Sequence, residues 1–249
     1  MPIPNNFCPS TDCFAGRTIL VTGAGQGLGR IAALAFATHG ATVILHGRNV
    51  QKLGAVYDEI EAAGGATPAI LPLDYMTAGE AEFRGMAEAI FAACQRLDGV
   101  FHCASHFSAL MSLDLQDLKT WQTHWTVNVM APIALTRALM PMLRRAAHAS
   151  VIFLSEDHAL MPSAYWGAFA ASKGALGAIT HMWQDEQARD SRVKFKLALP
   201  GAVASPMRAQ SHPGEMAREL APAKSLTSDF VFLLHEASDD LAGTLYRCR

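Results

Sequence analysis

Two stretches of this chain have residue types and spacing suited to chemistry. The first is Thr22-Gly23-Ala24-Gly25-Gln26-Gly27-Leu28-Gly29-Arg30, set between a short apolar run and an Ala-rich stretch of helical period. Glycines at a strand-to-helix junction allow a tight turn and let a pyrophosphate approach the backbone. The helix start then offers unpaired N–H groups and the positive end of a dipole to the anion. Gly23, Gly25, Gln26, Gly27, Leu28 and Gly29 are therefore candidate nucleotide contacts. The second stretch is Ser155-Glu156-Asp157-His158. Glu156 and His158 are alternate residues, so both face one side if the chain stays extended there. A Glu/His pair can pass protons.

The elements that must position these residues can be read from pattern. Strands are expected at Thr18–Val21, Thr42–Leu45, Ala69–Leu73, Val100–Cys103, Ser150–Ser155 and Val193–Leu199, with an edge strand at Gly243–Tyr246. Helices are expected at Leu28–His39, Val50–Ala63, Gly79–Leu97, within Leu115–Ala147 around Pro132, over Ala164–Asp190, and at Ser228–Glu236. Strands alternating with helices imply βαβ units, a parallel sheet and right-handed crossovers that cover both faces. The expectation is a Rossmann-type, doubly wound three-layer α/β domain over residues 17–249. Residues 1–16 read as an unpacked N-terminal arm. Residues 201–227 carry three prolines and no sustained period. They read as a loop with a short helix, and about 204–227 as a lid over a substrate.

The spacing Gly-x-x-x-Gly-x-Gly from Gly23 to Gly29 resembles the short-chain dehydrogenase/reductase family. Further stations match in order over roughly Gly16 to Tyr246. Leu73-Asp74 resembles the family's adenine-contacting Asp, with Tyr75 beside it. Asn128 in Val127-Asn-Val129 resembles the Asn that supports a proton-relay water. Ser172-Lys173 resembles the Ser-Lys of the catalytic helix, and Pro200-Gly201-Ala-Val203-Ala-Ser205-Pro206-Met207 the nicotinamide-side loop. The resemblance implies hydride transfer between a nicotinamide dinucleotide and a carbonyl or alcohol carbon. It implies that Lys173 holds the nicotinamide ribose, that Cys103 and Ala104 also contact cofactor, and that the two long helices pack subunits into a homodimer or homotetramer.

At the end of the second strand an acidic residue would bond both ribose hydroxyls and repel a 2′-phosphate. The chain reads His46-Gly47-Arg48-Asn49 there. A guanidinium suits a phosphate dianion. Arg48 and Asn49 therefore point to NADP(H) in preference to NAD(H).

The catalytic pattern departs from the family. Its Tyr-x-x-x-Lys places a Tyr four residues before Lys173, where Phe169 stands. Its Ser lies thirteen residues before that Tyr, where Glu156 stands. Phe169 has no titratable proton, and an anion at 156 opposes an alkoxide-like transition state unless burial keeps it protonated. Tyr165, one turn upstream if that turn is helical, and His158 are substitute proton donors. Two functions follow: an NADP(H)-dependent oxidoreductase with a rebuilt proton-transfer group, or a non-catalytic NADP(H)-binding protein acting as redox sensor or partner subunit.

The remaining composition excludes more than it assigns. A net charge of −2 over 249 residues makes no electrostatic case for nucleic acid or an anionic membrane. No basic leader precedes an apolar core, and no apolar run reaches about 18 residues. The five cysteines, and His46, His102 and His106 near strand ends, lack metal-ligand spacing. No metal is expected, and reduced thiols suit a cytoplasmic protein.

Overall fold

The computed structural model describes residues 2–4, 7–188, 192–239 and 243–248. Strands β1 (Thr18–Thr22), β2 (Thr42–Gly47), β3 (Ala69–Pro72), β4 (Gly99–His102), β5 (Ala149–Leu154) and β6 (Val193–Leu199) alternate with helices α1 (Gly27–Thr38), α2 (Val50–Ala62), α3 (Glu80–Cys94), α4 (Leu118–Trp125), α5 (Ala131–Leu143) and α6 (Gly167–Glu186). Beyond β6 come a short strand β7 (Val203–Ala204), α7 (Pro206–Ser211), β8 (Ala221–Pro222), α8 (Thr227–Leu234) and the edge strand β9 (Leu245–Arg247). The sheet order is β3-β2-β1-β4-β5-β6-β9, and each neighbouring pair is parallel. Every residue of β1, β4 and β5 is buried, as a parallel sheet covered on both faces requires. Chain order reverses between β1 and β4, which opens a crevice at the carboxyl ends of these strands. The expected three-layer α/β architecture is the one found.

Local details differ from the sequence reading where tertiary contacts override pattern. The first residues do not form an unpacked arm. Ile3 and Phe14 are buried, Phe7 meets Phe232 edge-on at 4.9 Å, and Pro2 bridges Arg247 beside β9. Burial of one such ring contributes about 2 kcal/mol, enough to hold the segment down. The helix expected within Leu115–Ala147 runs from Leu118 to Leu143, interrupted by a π turn at Thr126–Met130. Pro132 sits just after that turn, where its missing N–H costs little. This 26-residue stretch is long and apolar enough to cross a membrane, which revises the expectation that no segment is. Yet 56% of its most apolar window is buried inside the protein, as in a core helix. Helix α6 starts at Gly167, not Ala164, because Tyr165 and Gly167 have φ of 74° and 20° and turn the chain before it. The expected end of that helix at Asp190 lies outside the described residues.

Candidate functional site

The crevice is a cleft of about 430 Å³ running across the carboxyl ends of the strands. Its floor is the glycine turn. Gly23 has φ +68°, and a Cβ there would lie 2.9 Å from the Ala104 backbone. A Cβ on Gly29 would stand 2.2 Å from the Gly23 carbonyl oxygen, so only glycine lets α1 close against the turn. Thr22 braces the floor: its Oγ1 accepts from the N–H groups of Cys103 and Ala104, both at 3.1 Å. The start of α1 has no side-chain cap and no acidic residue in its first turn. An uncapped helix start beside glycines is a fitting cradle for a phosphate group. Gly23, Gly25, Gln26, Gly27 and Leu28 line the cleft, whereas Gly29 lies behind them as a packing residue.

One end of the cleft is basic. Arg48 is exposed and lines it, and Asn49 caps α2 by accepting from Lys52 N–H at 2.9 Å. Lys52 also lines the cleft, and its ammonium donates to the Gln26 side chain. Sequence reading missed Lys52; its signal was a second cation four residues after Arg48, about one helical turn on. Asp74, Tyr75 and buried His46 complete this end, the last two rings stacked at 4.7 Å. Burial lowers the His46 pKa to about 4, so it is neutral. Asp74 accepts from Met76 N–H at 3.0 Å. Pro200, Gly201, Val203 and Ser205 line the opposite side, Ser205 capping α7 through Arg208 N–H at 3.2 Å.

The other end is aromatic and carries the altered residues. Lys173 on α6 is buried and donates to the Leu154 carbonyl at 2.9 Å. Desolvation is the main cause that lowers its pKa to about 8, against opposing pulls from Cys103 and Glu156. Phe169 lies one turn earlier, its ring 5.9 Å from the Lys173 ammonium and edge-on to Phe107 at 5.0 Å. Glu156 stands just past β5. One carboxylate oxygen accepts from His158 backbone N–H at 3.0 Å and meets His158 Nδ1 at 2.8 Å. The other is buried without a hydrogen-bond partner among the described residues. The pair forms because the chain enters a 3-10 turn at Asp157–Ala159, not because it stays extended. The His158 ring stacks on Trp166 at 3.7 Å, a contact the sequence reading did not anticipate.

Two expected residues are placed elsewhere. Tyr165 lies outside α6, is 59% exposed and does not line the cleft. Asn128 is buried in the π turn with its amide fully used. It accepts from Ser105 Oγ and His106 N–H at 3.2 and 2.7 Å and donates to the His106 carbonyl and Ser172 Oγ at 3.0 Å each. Its side chain therefore ties the β4 loop to α6. His102 is a core residue, bonded to Thr136 at 2.8 Å and stacked on Phe153. Cys103 lines the cleft, but burial pushes its thiol up to about 12, far from a reactive thiolate.

This geometry, a glycine turn under a parallel-sheet crevice with a Lys of α6 at its far end, is that of a dinucleotide-binding oxidoreductase fold. Residues 17–216 match the short chain dehydrogenase family model, and the chain belongs to that family of oxidoreductases. It is 34% identical to the uncharacterized oxidoreductase YciK of Escherichia coli K12, over 97% of this chain and 95% of that protein. A short chain dehydrogenase of Escherichia coli CFT073, solved in complex with NADPH, superposes with a TM-score of 0.92 at 34% identity. The match covers 96% of this chain and 99% of that one. One of Shigella flexneri 2a, solved with NADP, gives 0.92 at 33% identity over 96% and 99%.

Proposed function

We propose that the protein is an NADP(H)-dependent oxidoreductase that exchanges hydride with a carbonyl or alcohol carbon, using Glu156 and His158 where the family uses Ser and Tyr. The observation that carries this reading is the Glu156 carboxylate. It is held by His158 on one oxygen, and its other oxygen has no partner among the described residues at the aromatic end of the cleft. A pocket that had only lost its chemistry would have no reason to keep such a group desolvated, since an unpaired buried polar atom is costly.

The cofactor assignment rests on this chain's own residues and on relatives solved with NADP and NADPH. Arg48 and Lys52 supply two cations where an NAD-selective site needs a carboxylate. The uncapped start of α1 and the glycine turn receive the pyrophosphate, Asp74 and Tyr75 border the adenine, and Lys173 holds the nicotinamide ribose. When bound, the reduced cofactor supplies hydride. Residues 204–227 form the lid over the substrate. The exposed apolar residues Trp125, Met130 and Met182 on the α4–α5 and α6 surfaces suit a homodimer or homotetramer in the cytoplasm.

A second reading, a non-catalytic NADP(H)-binding sensor or partner subunit, is favoured by Phe169, which has no proton to give. One screen decides between them. NADPH oxidation is followed against a panel of aldehydes and ketones, with NADPH and NADH affinities measured by calorimetry. Turnover with at least one compound is expected. Tight NADPH binding with no turnover across the panel selects the second reading, and tighter NADH binding overturns the cofactor assignment.

A further inference from the structure

We propose that the substrate bears a cationic carbon–nitrogen double bond, an iminium, held by Glu156 against an aromatic wall of Trp166 and Phe169. The proposal rests on the hydride-transfer reading above for its cofactor and replaces the carbonyl acceptor of that reading with its carbon–nitrogen counterpart. A neutral carbonyl needs a proton on oxygen as hydride arrives, and the place for that donor holds the bare ring of Phe169. An iminium needs none. The carbon takes one hydride from the reduced nicotinamide, and the C=N π electrons become the nitrogen lone pair. The products are a neutral amine and the oxidised cofactor. No proton enters or leaves, so the missing hydroxyl costs nothing.

The charges around the site agree. A carboxylate opposes the negative oxygen that develops in carbonyl reduction and attracts a cation. Glu156 meets His158 Nδ1 with one carboxylate oxygen, and its other oxygen has no partner among the described residues. His212 lies across from His158 at 6.2 Å, and His106 lines the cleft with the buried ring of His124 packed on it at 4.8 Å. Burial lowers the pKa of all three, which keeps them uncharged at neutral pH. Arg208 is paired with Glu215. Of the other cations that line the cleft, Arg48 and Lys52 stand at its phosphate end, and Lys173 donates to the Leu154 carbonyl with its ammonium 5.9 Å from the Phe169 ring. Aromatic faces add to the preference, because ring quadrupoles attract cations once water is displaced. Trp166 and Phe169 are buried and line the cleft. Phe107 packs against both, with centroids at 6.0 and 5.0 Å. Glu156 holds the cation most strongly before hydride discharges it, so its loss should raise KM more than it lowers kcat.

The test uses NADPH-loaded protein and two permanent cations. N,N-dimethylpyrrolidinium cannot accept hydride and reports binding alone by calorimetry. 1,2-Dimethyl-1-pyrrolinium can accept hydride and reports turnover, against 2-methylcyclopentanone as its neutral ketone counterpart. The expected result is binding of the first cation, weakened roughly tenfold or more in Glu156→Gln and partly restored in Glu156→Asp. NADPH affinity should stay unchanged, which shows that the variants fold. Reduction of the pyrrolinium should exceed that of the ketone, with the Gln variant losing mainly in KM. Cation binding indifferent to Glu156→Gln overturns the proposal. So does reduction of the ketone in preference to the cation, which leaves hydride transfer standing. Reduction of neither compound, nor of any member of the aldehyde and ketone panel, with NADPH bound overturns both.

Discussion

The two ends of the cleft obey different rules. At the phosphate end the backbone does the work: glycine conformations, an uncapped helix start and two cations on one side. These features depend on close approach, so each glycine admits little variation. At the aromatic end, side chains do the work, and there Glu156, Trp166 and Phe169 line the cleft. The scaffold beneath them is intact. Lys173 still reaches the Leu154 carbonyl, Ser155 Oγ still donates to the Lys173 carbonyl at 3.0 Å, and Asn128 still ties the β4 loop to α6. The two ends can therefore vary independently, because they are built from different atoms.

The phosphate end is most sensitive at the turn. Gly29→Val would drive a side chain into the Gly23 carbonyl and separate α1 from the floor. Loss of measurable NADPH binding by calorimetry is expected, with destabilisation of about 3 kcal/mol in denaturant unfolding. Retained binding would mean that the phosphate end is more plastic than its geometry implies. The other end should respond in the opposite sense. Phe169→Tyr combined with Glu156→Ser restores the family's two hydroxyls, and ketone reduction measured by NADPH oxidation should rise about 10²-fold. No gain would show that the scaffold under the aromatic end is no longer competent for carbonyl chemistry.

Arg48→Ala tests the cations alone. A charge-assisted contact to a phosphate contributes about 2 kcal/mol, so NADPH affinity should fall roughly 30-fold while NADH affinity stays constant. Equal losses for both would remove the 2′-phosphate from the argument. The smallest effect is expected at Tyr165. It is exposed and outside the cleft, so Tyr165→Phe should change kcat/KM by less than about twofold. A larger fall would return it to the list of proton donors.

Much of the cofactor end was legible in the chain because its signals are local. The glycine spacing, Gly47-Arg48 and Leu73-Asp74 each lie at one strand end, and a strand end in a parallel sheet has one place to go. Lys52 was missed because its relevance depends on α2 turning it back over Gln26. Misreadings came where one contact overrides a period. Positive φ at Tyr165 ends the helical count that would have set it beside Phe169. Buried Phe14 pins a segment whose polar composition suggested a loose arm.

By itself the amino-acid sequence determined the alternation of strands and helices, the glycine turn and the places of Glu156 and Phe169 relative to Lys173. Each depends on residues close in sequence or counted along one helix. Only the tertiary structure decided that Glu156 turns onto His158 and that His158 lies flat on Trp166. It alone showed that Asn128 spends its whole amide on the scaffold and that one carboxylate oxygen is left buried. These are contacts between loops from different strand ends, and their partners are chosen by packing across the cleft, which no spacing along the chain encodes.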